Sequence, residues 1–238
     1  MTVWAAKRFW TEVETRRSEE GFVLLLDGGL VRTPGKTALA VPSQPLAEAM
    51  AEEWRRQHEV IDPAAMPMTR YANTAIDRVR PEFLQVAQIV AAFGETDLLC
   101  YRAESPRELA RREAEGWDPL LDWADTRFGA RLAVTQDVLP ATQPEQALKR
   151  LEAAVCGLTP FELTSLHELA SLTGSLVLGL AVGEGEKSPE DAWSLSRIDE
   201  DWQIEQWGRD EEADMSAALR RDALLEAARF MQLVRSVD

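Results

Sequence analysis

Histidine and cysteine are scarce in this chain of 238 residues, two of each, and the scarcity removes most metal and nucleophile chemistry at the outset. His167-Glu168 opens like a zinc-protease helix, but Ser171 stands where the second ligand would fall, so His167 reads as a core or surface histidine. Cys100 and Cys156 lie in apolar contexts without the close spacing of a metal site, and both are expected to be buried, reduced thiols. A phosphate loop is missing as well. In 179–188, Lys187 follows Glu186 rather than glycine, and Glu184 and Glu186 would face the phosphate. Gly174-Ser175 has no flanking pattern of a nucleophile elbow. No metal, no cofactor and no catalytic residue are therefore expected. The many carboxylates keep one alternative open, an uncharacterised enzyme working through a carboxylate acid–base pair.

Positive charge is also short. Lys and Arg number 26 against 41 Asp and Glu, a formal charge of −15, whereas phosphate binding needs clustered cations. A nucleic-acid partner is not expected. The apolar run Leu172 to Val182 is interrupted by Gly174 and Gly179 and is about half the length that crosses a bilayer. The opening MTVWAAKRFW lacks an apolar signal core. A soluble protein without membrane insertion, taken as a monomer, is the expectation.

What is present suits a folded globule, with 45% apolar and 28% charged residues. Gly21–Leu26 is a short apolar run, Asp27-Gly28-Gly29 supplies a hairpin turn, and Leu30–Thr33 is the expected return strand, ended by Pro34-Gly35. Leu39–Val41 is a candidate third strand. Ser43 then caps a helix to about Val60 with Leu46, Met50 and Trp54 on one face. Pro63 and Pro67 read as a linker, and helical signals dominate beyond them. Helices are expected at 69–79, from Pro81, from Pro106, and over 117–128, 144–155, 160–182, 189–207 and 211–237. Asp97–Tyr101 reads as strand or helix, and Arg131–Thr135 as a short strand. The expected fold class is α+β: a small N-terminal sheet-plus-helix domain, 1–66, followed by a larger all-helical C-terminal domain, 67–238.

One segment is unusual. Residues 184–214 hold twelve acids against Lys187, Arg197 and Arg209, a net −9 of the chain's −15, yet they also carry Trp193, Trp202 and Trp207. On one helix over 189–207, Leu195, Ile198 and Trp202 form one apolar stripe, and Trp193, Ile204 and Trp207 another nearly opposite. A surface helix ordinarily needs one stripe. Either the helix is sandwiched between layers of its own domain, or one stripe, ringed by carboxylates, is presented to a partner. On the second reading Glu200 and Glu205 face basic groups of that partner, and Trp193 or Trp207 is the apolar anchor.

The run Leu195-Ser196-Arg197-Ile198-Asp199-Glu200-Asp201-Trp202-Gln203-Ile204-Glu205-Gln206-Trp207-Gly208 resembles the C-terminal signature of the assembly chaperones for the ATP synthase alpha subunit. Further blocks follow the family's order: Lys7-Arg8-Phe9-Trp10, the hairpin Leu26-Asp27-Gly28 to Thr33-Pro34, Val41-Pro42-Ser43 to Glu53-Trp54, Met68-Thr69-Arg70 to Asp77, Asp97 to Arg102, and Trp117-Asp118-Pro119 to Ala124. Gly29 departs from the basic residue more usual there. The resemblance implies a two-domain protein that holds the free alpha subunit, keeps it from aggregating until the beta subunit replaces it, and catalyses nothing. It places such proteins in the bacterial cytoplasm and the mitochondrial matrix.

Overall fold

The computed structural model describes residues 7–137 and 141–236. The apolar run Gly21–Leu26 is the central strand, β2, of a small antiparallel sheet. Strand β1 (Val13–Ser18) pairs along one edge, and β3 (Gly29–Leu30) and β4 (Ala40–Val41) share the other. Central placement explains why Phe22 to Leu26 are apolar without alternation, since all five are buried. Asp27 and Gly28 turn the hairpin with φ of 48° and 78°. The Asp27 carboxylate accepts the Thr11 and Glu12 amides at 3.0 and 2.8 Å, and these bonds hold its pKa below the usual range.

The return strand is shorter than expected, stopping at Leu30, because the chain is drawn aside by Asp77. Thr33 Oγ1 and the Gly35 amide donate to the two Asp77 oxygens at 2.7 and 2.8 Å. A Cβ on Gly35 would come within 2.6 Å of that carboxylate, which would have to move and give up its bonds to the loop. Helix α1 (Gln44–Arg55) starts at Ser43, whose hydroxyl accepts the Leu46 amide, and buries Leu46, Ala47, Met50 and Ala51. Trp54 is half-buried against the same core, with its ring 5.0 Å from that of Trp10.

The boundary expected at 66/67 falls inside a compact unit. That unit comprises 1–83, 160–164 and 229–238, while 84–159 and 165–228 form the second. A four-stranded sheet and one helix leave too much apolar surface uncovered, and the first core is completed by Met68, Ala72, Ala75, Ile76, Phe161 and Phe230. Pro67 begins helix α2 (Pro67–Thr74) instead of a linker. It starts two residues before the expected 69, and Glu53 of α1 caps it, accepting the Met68 and Thr69 amides at 2.7 and 2.9 Å and the Thr69 hydroxyl at 2.7 Å. Burial raises the Glu53 pKa, against the pull of those donors. The helix continues as one wide turn over Ala75–Val79, closed by Arg80 N to Ala75 O.

The second unit is helical. It holds α3 (Phe83–Ala91, from its second residue), α4 (Arg107–Phe128), α5 (Glu145–Cys156), most of α6 (Pro160–Thr173), α7 (Leu176–Glu184), α8 (Pro189–Leu195), α9 (Ile198–Trp207) and most of α10 (Glu211–Arg235). By length and composition 83–100 could span a bilayer, but it is broken into α3 and two 3-10 turns, Ala92–Thr96 and Leu98–Cys100. The helices expected from Pro106 and from Trp117 are one, running through Pro119 to Gly129, which adopts φ 69°. Conversely, the helix expected over 160–182 is two. Gly174 turns at φ 70°, and α7 starts afresh with its amides held by Ser175 and by the buried Asp97, at 3.0 Å each. Burial pushes the Asp97 carboxyl up to about 6. Tyr101 and Thr135 meet only in an isolated parallel bridge, so Arg131–Thr135 is not a strand. Cys100 is buried, and desolvation pushes its thiol up to about 12, whereas Cys156 is exposed at the end of α5, contrary to expectation. Val237, the expected last helical residue, lies outside the described residues.

Candidate functional site

Helix 189–207 is not continuous. Ser188 caps α8 through the Asp191 amide at 3.0 Å, α8 stops at Leu195, and Arg197 leaves the helical region at φ −119° before α9 begins. The break turns a single wheel into two short helices, so the two stripes are not those of one cylinder. Each still has a definite neighbour within the second unit.

Leu195, Ile198, Asp199, Trp202 and Glu205 recur at helical spacing and meet four residues of α4. The Trp117 indole donates to the Leu195 carbonyl at 2.8 Å. Gly116 lies so close beneath Leu195 and Ile198 that a Cβ there would stand 2.9 Å from both side chains. Glu113, 1% exposed, contacts Asp199. Arg112 donates to both Glu205 oxygens at 2.8 Å and lies 4.7 Å over the Trp202 ring.

The opposite side of α9 looks onto the start of α10. Arg197, Glu200, Gln203, Ile204, Trp207, Asp214, Ala217 and Arg220 are among the residues lining a groove of about 390 Å³. Of these Trp207 is the most exposed apolar side chain, at 79%. On the face of α10 turned away from the groove, Met215 and Leu219 are exposed one turn apart, an apolar pair on an otherwise acidic helix start. Arg197 ties the floor together: it approaches Glu200 at 3.9 Å and Asp201 at 3.7 Å, and lies 5.3 Å over Trp193.

The four residues singled out from sequence are therefore separated into different roles. Glu200 and Trp207 share the groove. Trp193 is buried, 8% exposed, and lines an adjoining hollow under Arg197 and Arg220. Glu205 turns the other way and is held by Arg112. Sequence reasoning missed Arg112, Glu113 and Gly116, whose spacing with Trp117 marks one face of α4, and Arg220, which reaches the site from a different helix. Among the described residues no group of three or more His, Cys, Asp or Glu could hold a metal ion.

The groove is lined by the Glu200, Asp210 and Asp214 carboxylates beside the exposed Trp207 ring. Comparison with known proteins gives the family. A sequence profile described as "ATP12 chaperone protein" matches residues 7–125. The crystal structure of Atp12 from Paracoccus denitrificans shares 51% identity over 97% of this chain and 99% of that one, with a TM-score of 0.94. A structure from Agrobacterium tumefaciens shares 42% identity over 96% of this chain and 86% of its own, at a TM-score of 0.91. The mitochondrial protein atp12 of Schizosaccharomyces pombe is 22% identical over 87% of this chain and 75% of its own. The chain belongs to the ATP12 chaperone protein family, the assembly chaperones of F1 ATP synthase.

Proposed function

We propose that the protein binds the free alpha subunit of F-type ATP synthase in the bacterial cytoplasm and keeps it from aggregating until the beta subunit takes its place. It acts by binding alone, as a monomer, with no catalytic step and no nucleotide. The observation that carries this reading is the α9–α10 surface. An unassembled subunit exposes apolar surface that its neighbours later cover, and such patches aggregate. The exposed Trp207 ring offers apolar purchase on it, and the Glu200, Asp210 and Asp214 carboxylates around the groove keep that purchase soluble while attracting basic groups.

Glu200 and Trp207 make the direct contacts in this account. Glu205 contributes through its pair with Arg112, which a client guanidinium would share or displace, and Trp193 supports the groove from beneath. The test is capture of the client from cells by the intact chain and by variants of known stability. Glu200→Gln is expected to slow association mainly at low salt, and Trp207→Ala to speed dissociation at any salt. Normal capture by both variants would remove the groove from the account.

A further inference from the structure

The contact between α4 and α9 contains two carboxyl groups and no donor between them. Glu113 is 1% exposed, and one of its oxygens accepts the Ala103 amide at 2.8 Å. Asp199, in the first turn of α9, lies against it, and its Oδ1 is buried without a hydrogen-bond partner. Two acceptors in contact away from water repel each other, and an orphaned carboxylate oxygen carries the full cost of its lost hydration. Both difficulties vanish if one proton lies between them. We propose that Glu113 and Asp199 share a proton, Glu113 O–H donating to the Asp199 carboxylate, and that this bond seats α9 on α4 and makes the α9–α10 surface sensitive to pH. The link to client binding rests on the function proposed above; the proton bridge itself does not.

The surroundings favour the neutral acid. Burial pushes the Glu113 carboxyl up to about 7, with Asp199 adding to the rise and the Ala103 amide and Arg102 opposing it. Arg102, the nearest cation, is largely committed elsewhere: its Nη2 donates to Asp118 at 2.7 Å, its Nη1 to the Leu99 and Tyr101 carbonyls, and its guanidinium lies 5.0 Å over Trp117. From α4 itself Arg112 turns to Glu205, and at the start of α9 Arg197 faces Glu200 and Asp201. Among the described residues Arg102 is the one cation whose charge acts on Glu113, so charge neutralisation falls to the proton.

The sign follows from linkage. The seated state binds a proton that the unseated state, with Glu113 at an ordinary carboxyl value near 4.5, gives up. Seating is strongest below that ordinary value, weakens as pH rises, and is fully weakened above about 7. A Glu side-chain carbon-13 titration of the intact chain reads the bridge directly, and amide hydrogen exchange over Ile198–Trp207 reads the seat. Glu113 is expected to titrate near 7, and the protection of α9, corrected for intrinsic exchange, to fall by up to about tenfold per pH unit between about 5 and 7. Asp199→Asn, whose amide can donate to an ionised Glu113, is expected to lower the Glu113 midpoint. Glu113→Gln, a permanent donor, is expected to flatten the pH dependence of α9. An ordinary midpoint for Glu113 overturns the bridge, and pH-independent protection of α9 in the unaltered chain overturns the seat. Neither result depends on the variants folding or on the client. With the bridge established, alpha-subunit binding that does not weaken over the same pH window separates failure of the functional reading from failure of the bridge.

Discussion

Replacing Trp207 by alanine removes a ring that is 79% exposed, so stability is expected to change by no more than about 0.5 kcal/mol while client dissociation quickens. Trp193→Ala removes a ring that is 8% exposed beneath Arg197 and Arg220, and is expected to cost about 3–5 kcal/mol. Denaturant melts of the two variants check the contrast, and equal losses would contradict it. The sequence could name both tryptophans but not tell them apart, because the break at Ser196-Arg197 that buries one and exposes the other has no proline or glycine to announce it. Cys156 departs from expectation for a related reason, whereas Cys100 is buried as expected. Both lie in apolar sequence, yet Cys156 is the last residue of α5 and points outward. Alkylation of the native chain is expected to be fast at Cys156 and slow at Cys100, whose thiol is buried and pushed up to about 12. Comparable rates at the two sites would mean Cys100 is more open than described.

At the scale of elements, local signals were read well where one residue decides the outcome. Asp27-Gly28 makes the hairpin and Ser43 caps a helix. They misled where a distant partner decides. The sequence reads as two helices, one from Pro106 and one over 117–128, yet α4 is continuous through both, with Trp117, Leu120, Leu121 and Ala124 buried along its second half. Met68 and Thr69 looked like a fresh start after a linker, but their amides are held by Glu53, fifteen and sixteen residues earlier. Strand β1 was not singled out because an edge strand of Glu, Thr and Arg has little apolar pattern to read. The α4 face of Arg112, Glu113, Gly116 and Trp117 carries a direct test. Gly116→Leu would drive a side chain into Leu195 and Ile198, already 2.9 Å from where a Cβ would sit, and is expected to cost about 1–3 kcal/mol with α8 and α9 displaced. Unchanged stability together with unchanged fluorescence from Trp202 would show that α9 does not rest on α4 as described.

Across the whole molecule, the fold class was legible because hydrophobic period changes along the chain, from strands before Val41 to helices after Ser43. The division into units was not, since Phe161 and Phe230 enter the first core from far along the sequence and no local pattern marks them. The acidic, tryptophan-bearing segment was visible from composition, and its resemblance gave the family that the comparisons bear out over nearly the full chain. What composition could not give was direction: which carboxylates look out over the groove and which, like Glu205 and Asp199, turn toward α4. The central claim is that this surface holds an alpha subunit by binding alone. The most direct measurement is light scattering from purified alpha subunit diluted from denaturant, with increasing amounts of this chain and then with beta subunit added. Suppression that saturates near one chain per alpha subunit, is lost in Trp207→Ala at unchanged stability, and is relieved by beta subunit is the result expected. Aggregation unaffected by the chain at several-fold excess would contradict the account.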